Sequence, residues 1–263
     1  WPIVRPTFTS EVQSNILHFD FSEPVSDVRD IVGGLNARHF AEVNGRVANA
    51  NMLSSSSTGD LRVFSELVIR DTGSWETSVE ANLSIFRSNN EHQLVEVSNL
   101  RDIADGQALY SGLFMGDKAF ATTAEVVNDI PKIDPLHTFD LSDPLNPVEM
   151  SEIEIPGFTT QLIAASEEYL LGIGFSQDAI GQWYRQVALY DIADLSSPSV
   201  VTNWVAPDPS SAIWLSDWLN AGNLPFDSET GHLIVPMQDE MGFNWQDNDG
   251  AFLFEIETGA SAG

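Results

Sequence analysis

Ile16-Leu17-His18-Phe19-Asp20, Leu136-His137-Thr138-Phe139-Asp140 and Val187-Ala188-Leu189-Tyr190-Asp191 repeat one phrase. Each is a short β-prone run that closes on an acid and leads into a polar turn. Ala251-Phe252-Leu253-Phe254-Glu255 is a looser copy, and Leu83-Ser84-Ile85-Phe86-Arg87 is the same phrase with its acid replaced. Branched and aromatic side chains suit a pleated, half-buried surface. Recurrence at intervals of tens of residues sets architecture before any single residue does. The copies start 67, 53, 51 and 64 residues apart.

Working outward, each interval holds more strand-like runs, set off by Gly, Asn or Asp turns. Leu61-Arg62-Val63-Phe64-Ser65 precedes the second copy and Ala119-Phe120-Ala121-Thr122-Thr123 the third. Tyr169-Leu170-Leu171-Gly172-Ile173-Gly174 precedes the fourth and His232-Leu233-Ile234-Val235-Pro236 the last. A further strand follows the phrase at 149–155 and 199–205. Roughly four strands per interval is the arithmetic of a β-propeller blade. The expectation is an all-β fold: a β-propeller with about five visible blade repeats, either a compact ring or an incomplete part of a larger one. The whole chain, 1–263, reads as a single domain. The serine-rich stretch 49–59 reads as a flexible loop, and 210–219 as a loop with a short helix between blades. Prolines in 142–147 and 196–198 fall between strands, where the missing N–H costs no ladder bond.

The chain carries 39 acidic against 11 basic residues, a formal charge of −28. Only Lys118 and Lys132 are lysines. Such a surface repels nucleic acid and anionic membranes. It suits an acidic extracellular surface or a salty medium, where screening weakens self-repulsion. With no cysteine, disulfides, thiolate metal sites and cysteine nucleophiles are excluded. No apolar run is long enough for a membrane-spanning helix. The opening Trp1-Pro2 fits a processed or truncated chain, and a signal peptide ahead of residue 1 is one expectation among these.

The middle and C-terminal half resembles the secreted β-propeller-domain proteins of bacteria and archaea. The resemblance rests on the ordered series Leu113-Phe114-Met115-Gly116-Asp117-Lys118, Asp134-Pro135-Leu136-His137-Thr138-Phe139-Asp140 with Asp143-Pro144-Leu145-Asn146-Pro147, Ile155-Pro156-Gly157-Phe158, Leu170-Leu171-Gly172-Ile173-Gly174, Leu189-Tyr190-Asp191-Ile192-Ala193-Asp194 and Leu233-Ile234-Val235-Pro236. It is strongest over about 110–200 and looser over the first hundred residues. It implies a secreted or cell-surface propeller and carries over no catalytic residue. Family domains are usually longer than this chain, so the resemblance leaves two expectations open: a compact five-bladed ring, or a larger ring of which one or more N-terminal blades are not included.

Few residues suggest chemistry. His18 and His137 are read as equivalent members of the repeated strand, directly before Phe19 and Thr138, and so as structural. No Gly-x-Ser-x-Gly context is present. Gly172-Ile173-Gly174 lacks the helix a dinucleotide site needs and reads as close strand packing. Asp247, Asn248 and Asp249 before Gly250 offer hard oxygen ligands for calcium, although Thr258 stands where an EF-hand needs Glu. Asp140, Asp143, Asp191 and Asp194 read as turn-forming acids. Trp183, Tyr184, Trp214 and Trp218 beside turns are the ligand-binding candidates, able to stack on a glycan or peptide. The expected role is noncatalytic: interaction, adhesion or assembly, with a protein or glycan partner or self-association through blade edges. The alternatives are a glycan-active hydrolase using acids at the propeller mouth and a structural subunit of a surface layer or filament.

Overall fold

The computed structural model describes residues 9–10, 13–19, 37–71, 77–89, 93–104, 106–124, 126–127, 130–131, 134–207, 224–237 and 250–257. All regular structure among them is β apart from one 3-10 turn, Ala50–Met52. No helix among them is long and apolar enough to cross a membrane. The chain divides into two compact units, Trp1–Leu109 with Leu141–Val148, and Tyr110–Asp140 with Glu149–Gly263.

In the first unit the strands are β1 (Thr9–Ser10), β2 (Gln13–Phe19), β3 (Ala37–Asn44), β4 (Leu53–Ser55), β5 (Leu61–Asp71), β6 (Thr77–Ser88) and β7 (Leu94–Leu100). β5, β6 and β7 follow one another across a sheet, with β1 and β4 both on the far side of β5, while β2 pairs with β3 separately. The stretch 49–59, read from sequence as a loop, contains the 3-10 turn and β4, and its Met52 is fully buried. Polarity marked the serines; the single methionine that anchors them carried no periodic signal.

The second unit builds its first sheet from β8 (Ala108–Met115), which starts at the unit boundary, β9 (Lys118–Ala124), β12 (Asp134–Asp140) and β13 (Val148–Ile155). A short ribbon, β10 (Val126–Val127) with β11 (Ile130–Pro131), interrupts it. The second sheet runs β14 (Phe158–Ala164), β15 (Tyr169–Gln177), β16 (Trp183–Asp191) and β17 (Ser199–Val205). The third is β18 (Phe226–Asp227), β19 (His232–Met237) and β20 (Gly250–Glu255). These are antiparallel meanders of the blade type. The phrase copies lie in β2, β6, β12, β16 and β20, and the last four are third in their sheets.

In β6, β12 and β16 the phrase is an inner strand, paired on both sides, and its side chains are buried on both faces. Leu83 to Phe86, Leu136 to Phe139 and Val187 to Tyr190 are buried without a break. In β16 the faces separate cleanly. Ala188 and Tyr190 join Leu170, Leu162, Phe120 and Leu136 in one cluster. Val187 and Leu189 join Leu171, Ile173, Leu233 and Val235 in the next. Burial of each large side chain contributes about 1.5–3 kcal/mol. In β20 only Phe252 and Phe254 turn toward the core, and Leu253 is 66% exposed. Register shifts fall between Ile85 and Phe86, Leu189 and Tyr190, and His18 and Phe19. A bulge therefore recurs just before the phrase's aromatic residue in three copies.

Candidate functional site

Aligned on the aromatic–acid ending, the second position of the phrase is Leu17, Ser84, His137, Ala188 and Phe252. His18 occupies the third position. The two histidines are thus offset by one residue rather than equivalent, and one step along a strand changes the face. The backbone of His18 pairs with His39 across β2 and β3.

His137 is completely buried. Its Nε2 lies 2.9 Å from Thr123 Oγ1 on β9, and its Nδ1 lies 2.7 Å from Glu149 Oε1 on β13. The ring also stacks on Phe139, with centroids 6.4 Å apart. One residue along, Thr138 Oγ1 meets Ser151 Oγ at 2.9 Å and donates to Leu195 O at 2.6 Å. The imidazole is held at both nitrogens, so its orientation is set before any ligand arrives. Glu152 brings a second carboxylate, and ligand atoms from His137, Glu149 and Glu152 lie within 4.8 Å of one another. Both glutamates are exposed. One imidazole with two carboxylates is a donor set for a first-row transition cation, whereas calcium takes an all-oxygen shell. Sequence reading missed the cluster because its members come from two strands joined by a turn and match no spacing motif.

The predicted ligand-binding residues fare differently. Trp183 packs against a buried cluster of Ala124, Phe158 and Phe175. Tyr184 donates its hydroxyl to Asp178 Oδ2 at 3.0 Å, and Asp178 Oδ1 accepts from the N–H of Ile180 and Gln182 at 3.0 and 2.9 Å. These two aromatics build the hairpin, and the apolar side chain at its tip is Ile180, 89% exposed. Those contacts, led by the Gln182 N–H, hold the Asp178 carboxyl below its usual range. Trp214 and Trp218 lie outside the described residues, as do the 210–219 helix and the proposed calcium ligands Asp247, Asn248 and Asp249.

The strand-end acids are turn formers. Asp143 accepts from Asn146 Nδ2 and Leu145 N, Asp191 from Ala193 N, and Asp194 from the hydroxyl and N–H of Ser196. These bonds lower the pKa of Asp143 and Asp194, led by the side-chain donors Asn146 and Ser196. In the copy that ends in Arg87 the charge is reversed. Arg87 Nε and Nη2 donate to the two carboxylate oxygens of Asp60, each at 2.6 Å. The Asp60 carboxyl is held below its usual range, chiefly by the Arg87 hydrogen bond.

The profile of the beta propeller domain family matches residues 30–262, and the chain belongs to that family. An uncharacterized protein of Methanocaldococcus jannaschii is 29% identical over 163 residues, covering 62% of this chain and 23% of that protein. An uncharacterized protein of Archaeoglobus fulgidus is 26% identical over 225 residues, covering 86% of this chain and 32% of its own length. The chain thus spans about a quarter to a third of these relatives.

Proposed function

We propose that this member of the beta propeller domain family is a noncatalytic interaction module that assembles outside the cell, with β17 as its contact strand. A sheet edge presents unpaired N–H and C=O groups, and charged side chains are the usual guard against unwanted pairing. The outer strand β7 carries Glu96, and β13 carries Glu149, Glu152 and Glu154. β17 reads Ser-Val-Val-Thr-Asn-Trp-Val and carries no charge. Val200, Val201 and Val205 on it are 37%, 51% and 38% exposed. That uncharged outer edge is the observation that carries the reading.

The occupant we commit to is β17 of a second copy. An edge approaching β17 must itself be free of carboxylates, and in a chain of charge −28 the matching fourth strand among the described residues is β17 itself. Antiparallel pairing about a two-fold axis would make the contact isologous, with main-chain bonds supplying affinity. Net charge opposes the approach of two copies until salt shortens the Debye length from about 30 Å at 0.01 M to about 3 Å at 1 M. An acidic, lysine-poor surface supports a secreted or cell-surface setting of that kind.

Sedimentation velocity over a protein and salt series tests this. Dimers should form as salt rises, and Val201→Lys should abolish them. A chain that stays monomeric throughout, or a dimer indifferent to Val201→Lys, overturns the proposal.

A further inference from the structure

We propose that His137, Glu149 and Glu152 form a binding site for a first-row transition-metal cation, with zinc as the natural probe. Three observations carry this. His137 is a buried imidazole in a strand position where other copies place Leu17, Ser84, Ala188 or Phe252, so packing alone does not call for a titratable ring. Glu149 meets the His137 Nδ1 at 2.7 Å, and a carboxylate oxygen of Glu152 from the same strand lies within 4.8 Å of the ligand atoms of both. Neither glutamate forms an ion pair with lysine or arginine among the described residues. Like charges so placed repel, and a bound cation reverses the sign of that interaction.

The third observation is Thr123. In the neutral tautomer that an ionised carboxylate at Nδ1 favours, Nδ1–H donates to Glu149 and Nε2 accepts from the threonine hydroxyl. To ligate a metal, Nδ1 must present its lone pair, which places the proton on Nε2. Thr123 Oγ1, 2.9 Å from Nε2, accepts that proton as readily as it donated its own. The tautomer change therefore costs no hydrogen bond at the buried end of the ring. Such an outer partner orients a histidine ligand and raises its basicity. Zinc binds imidazole nitrogen at about 2.0–2.1 Å and carboxylate oxygen at about 2.0–2.2 Å, and commonly takes three protein ligands with an open fourth position. A nitrogen–oxygen set of this kind selects against calcium.

Glu152 separates this proposal from a purely structural histidine, because the Thr123–His137–Glu149 relay does not use it. Zinc titration by calorimetry should show one site on the wild-type chain. Glu152→Gln should weaken that site at least tenfold, since even loss of a ligand's outer partner costs about 10–100-fold, while metal-free melting stays equal or rises slightly as the repulsion with Glu149 is relieved. Glu154→Gln, on the same strand outside the cluster, controls for diffuse binding to an acidic surface and should leave the site intact. Cobalt in place of zinc should give a visible ligand-field spectrum that tenfold excess calcium does not remove. Equal zinc affinity in wild type and Glu152→Gln, or displacement by calcium, overturns the proposal.

Discussion

Gly172→Ala tests how the repeated phrase fits the strand beside it. Tyr190 pairs with Leu170, and Gly172 lies two residues further along β15. A Cβ there would stand 2.6 Å from Tyr190 Cε2 and 2.9 Å from its hydroxyl oxygen, where ordinary contact begins at 3.4 Å. Tyr190 is fully buried among Leu162, Leu170 and Ile192, so the ring has nowhere free to go. Overpacking of this kind costs about 1–3 kcal/mol. A glycine in a strand otherwise costs about 0.5–1 kcal/mol relative to alanine. With Tyr190→Leu in place the obstacle is gone, and Gly172→Ala should become neutral or stabilising. The glycine contribution is common to both backgrounds and cancels, so the coupling between the two substitutions is the overpacking cost itself, about 1–3 kcal/mol. The chain contains its own comparison: Val63, Ala121 and Val235 hold the corresponding positions beside Phe86, Phe139 and Phe254. Urea unfolding of the four proteins, followed by tryptophan fluorescence, gives the cycle, provided the m-value does not change. Gly174→Ala is the contrast. Its Cβ would meet the backbone oxygen of Phe158 at 1.7 Å, so Tyr190→Leu should not rescue it. A coupling within about 0.5 kcal/mol, the additivity limit for independent sites, would refute the reasoning.

Asp60→Asn should lower the melting temperature at pH 7, because it removes the carboxylate that Arg87 grips with two nitrogens. The Asp60 pKa lies below its ordinary 3.8 in the folded chain. Its stabilisation is therefore present above that ordinary value and is lost as the pH falls through the lowered one. Acid melting curves of wild type should drop in that window, and those of Asp60→Asn should drop less. Asp143, Asp178, Asp194 and Asp227 are lowered in the same direction by their turn bonds. Replacing all four by asparagine should leave neutral melting closer to wild type than alanine does, while flattening the acid slope further, as read by circular dichroism. Trp183→Ala should destabilise the chain by about 2–4 kcal/mol in urea, toward the lower part of the range for aromatic truncation because the ring is half-buried; an unchanged midpoint would favour a surface platform for Trp183.

The strands were legible because their doubly buried runs are apolar without a break, as in Leu136 to Phe139, and their turns are rich in Asp, Asn and Pro. Turn acids such as Asp143 and Asp194, each three residues after the closing acid of its phrase, announced themselves by repetition. The bulge before Phe86 and Tyr190 was not legible, since it depends on the residues of β7 and β17 opposite and not on the phrase alone. His137, Glu149 and Glu152 stayed hidden for a related reason: their convergence is set by how β12 and β13 pair across the turn of residues 141–147. The Arg87–Asp60 pair spans 27 residues, and only a folded sheet brings them together. Trp183 is ambiguous in another way, because a tryptophan beside a turn looks the same in sequence whether it faces solvent or packs, half-buried, on Phe158 and Phe175.

A repeated strand also separates scaffold from site by the cost of its exceptions. The aromatic at the fourth position recurs as a core residue in Phe86, Phe139 and Tyr190, and the acid at the fifth forms a turn bond in Asp191. A departure that only preserves packing should be apolar, as Ala188 is, or should carry its own compensation inside the sheet, as Arg87 does with Asp60. His137 departs differently. A buried polar ring must be hydrogen-bonded to be tolerated, and Thr123 alone would satisfy one nitrogen. The other meets the exposed Glu149, so the compensation extends outward to the surface instead of closing within the core. Positions where a local rule is broken and the break opens to solvent are where function concentrates in otherwise consistent sequences. On that argument His137 is, among the described copies of the phrase, the departure whose compensation reaches the surface, and the zinc titration of wild type against Glu152→Gln is the measurement that decides whether it serves more than architecture.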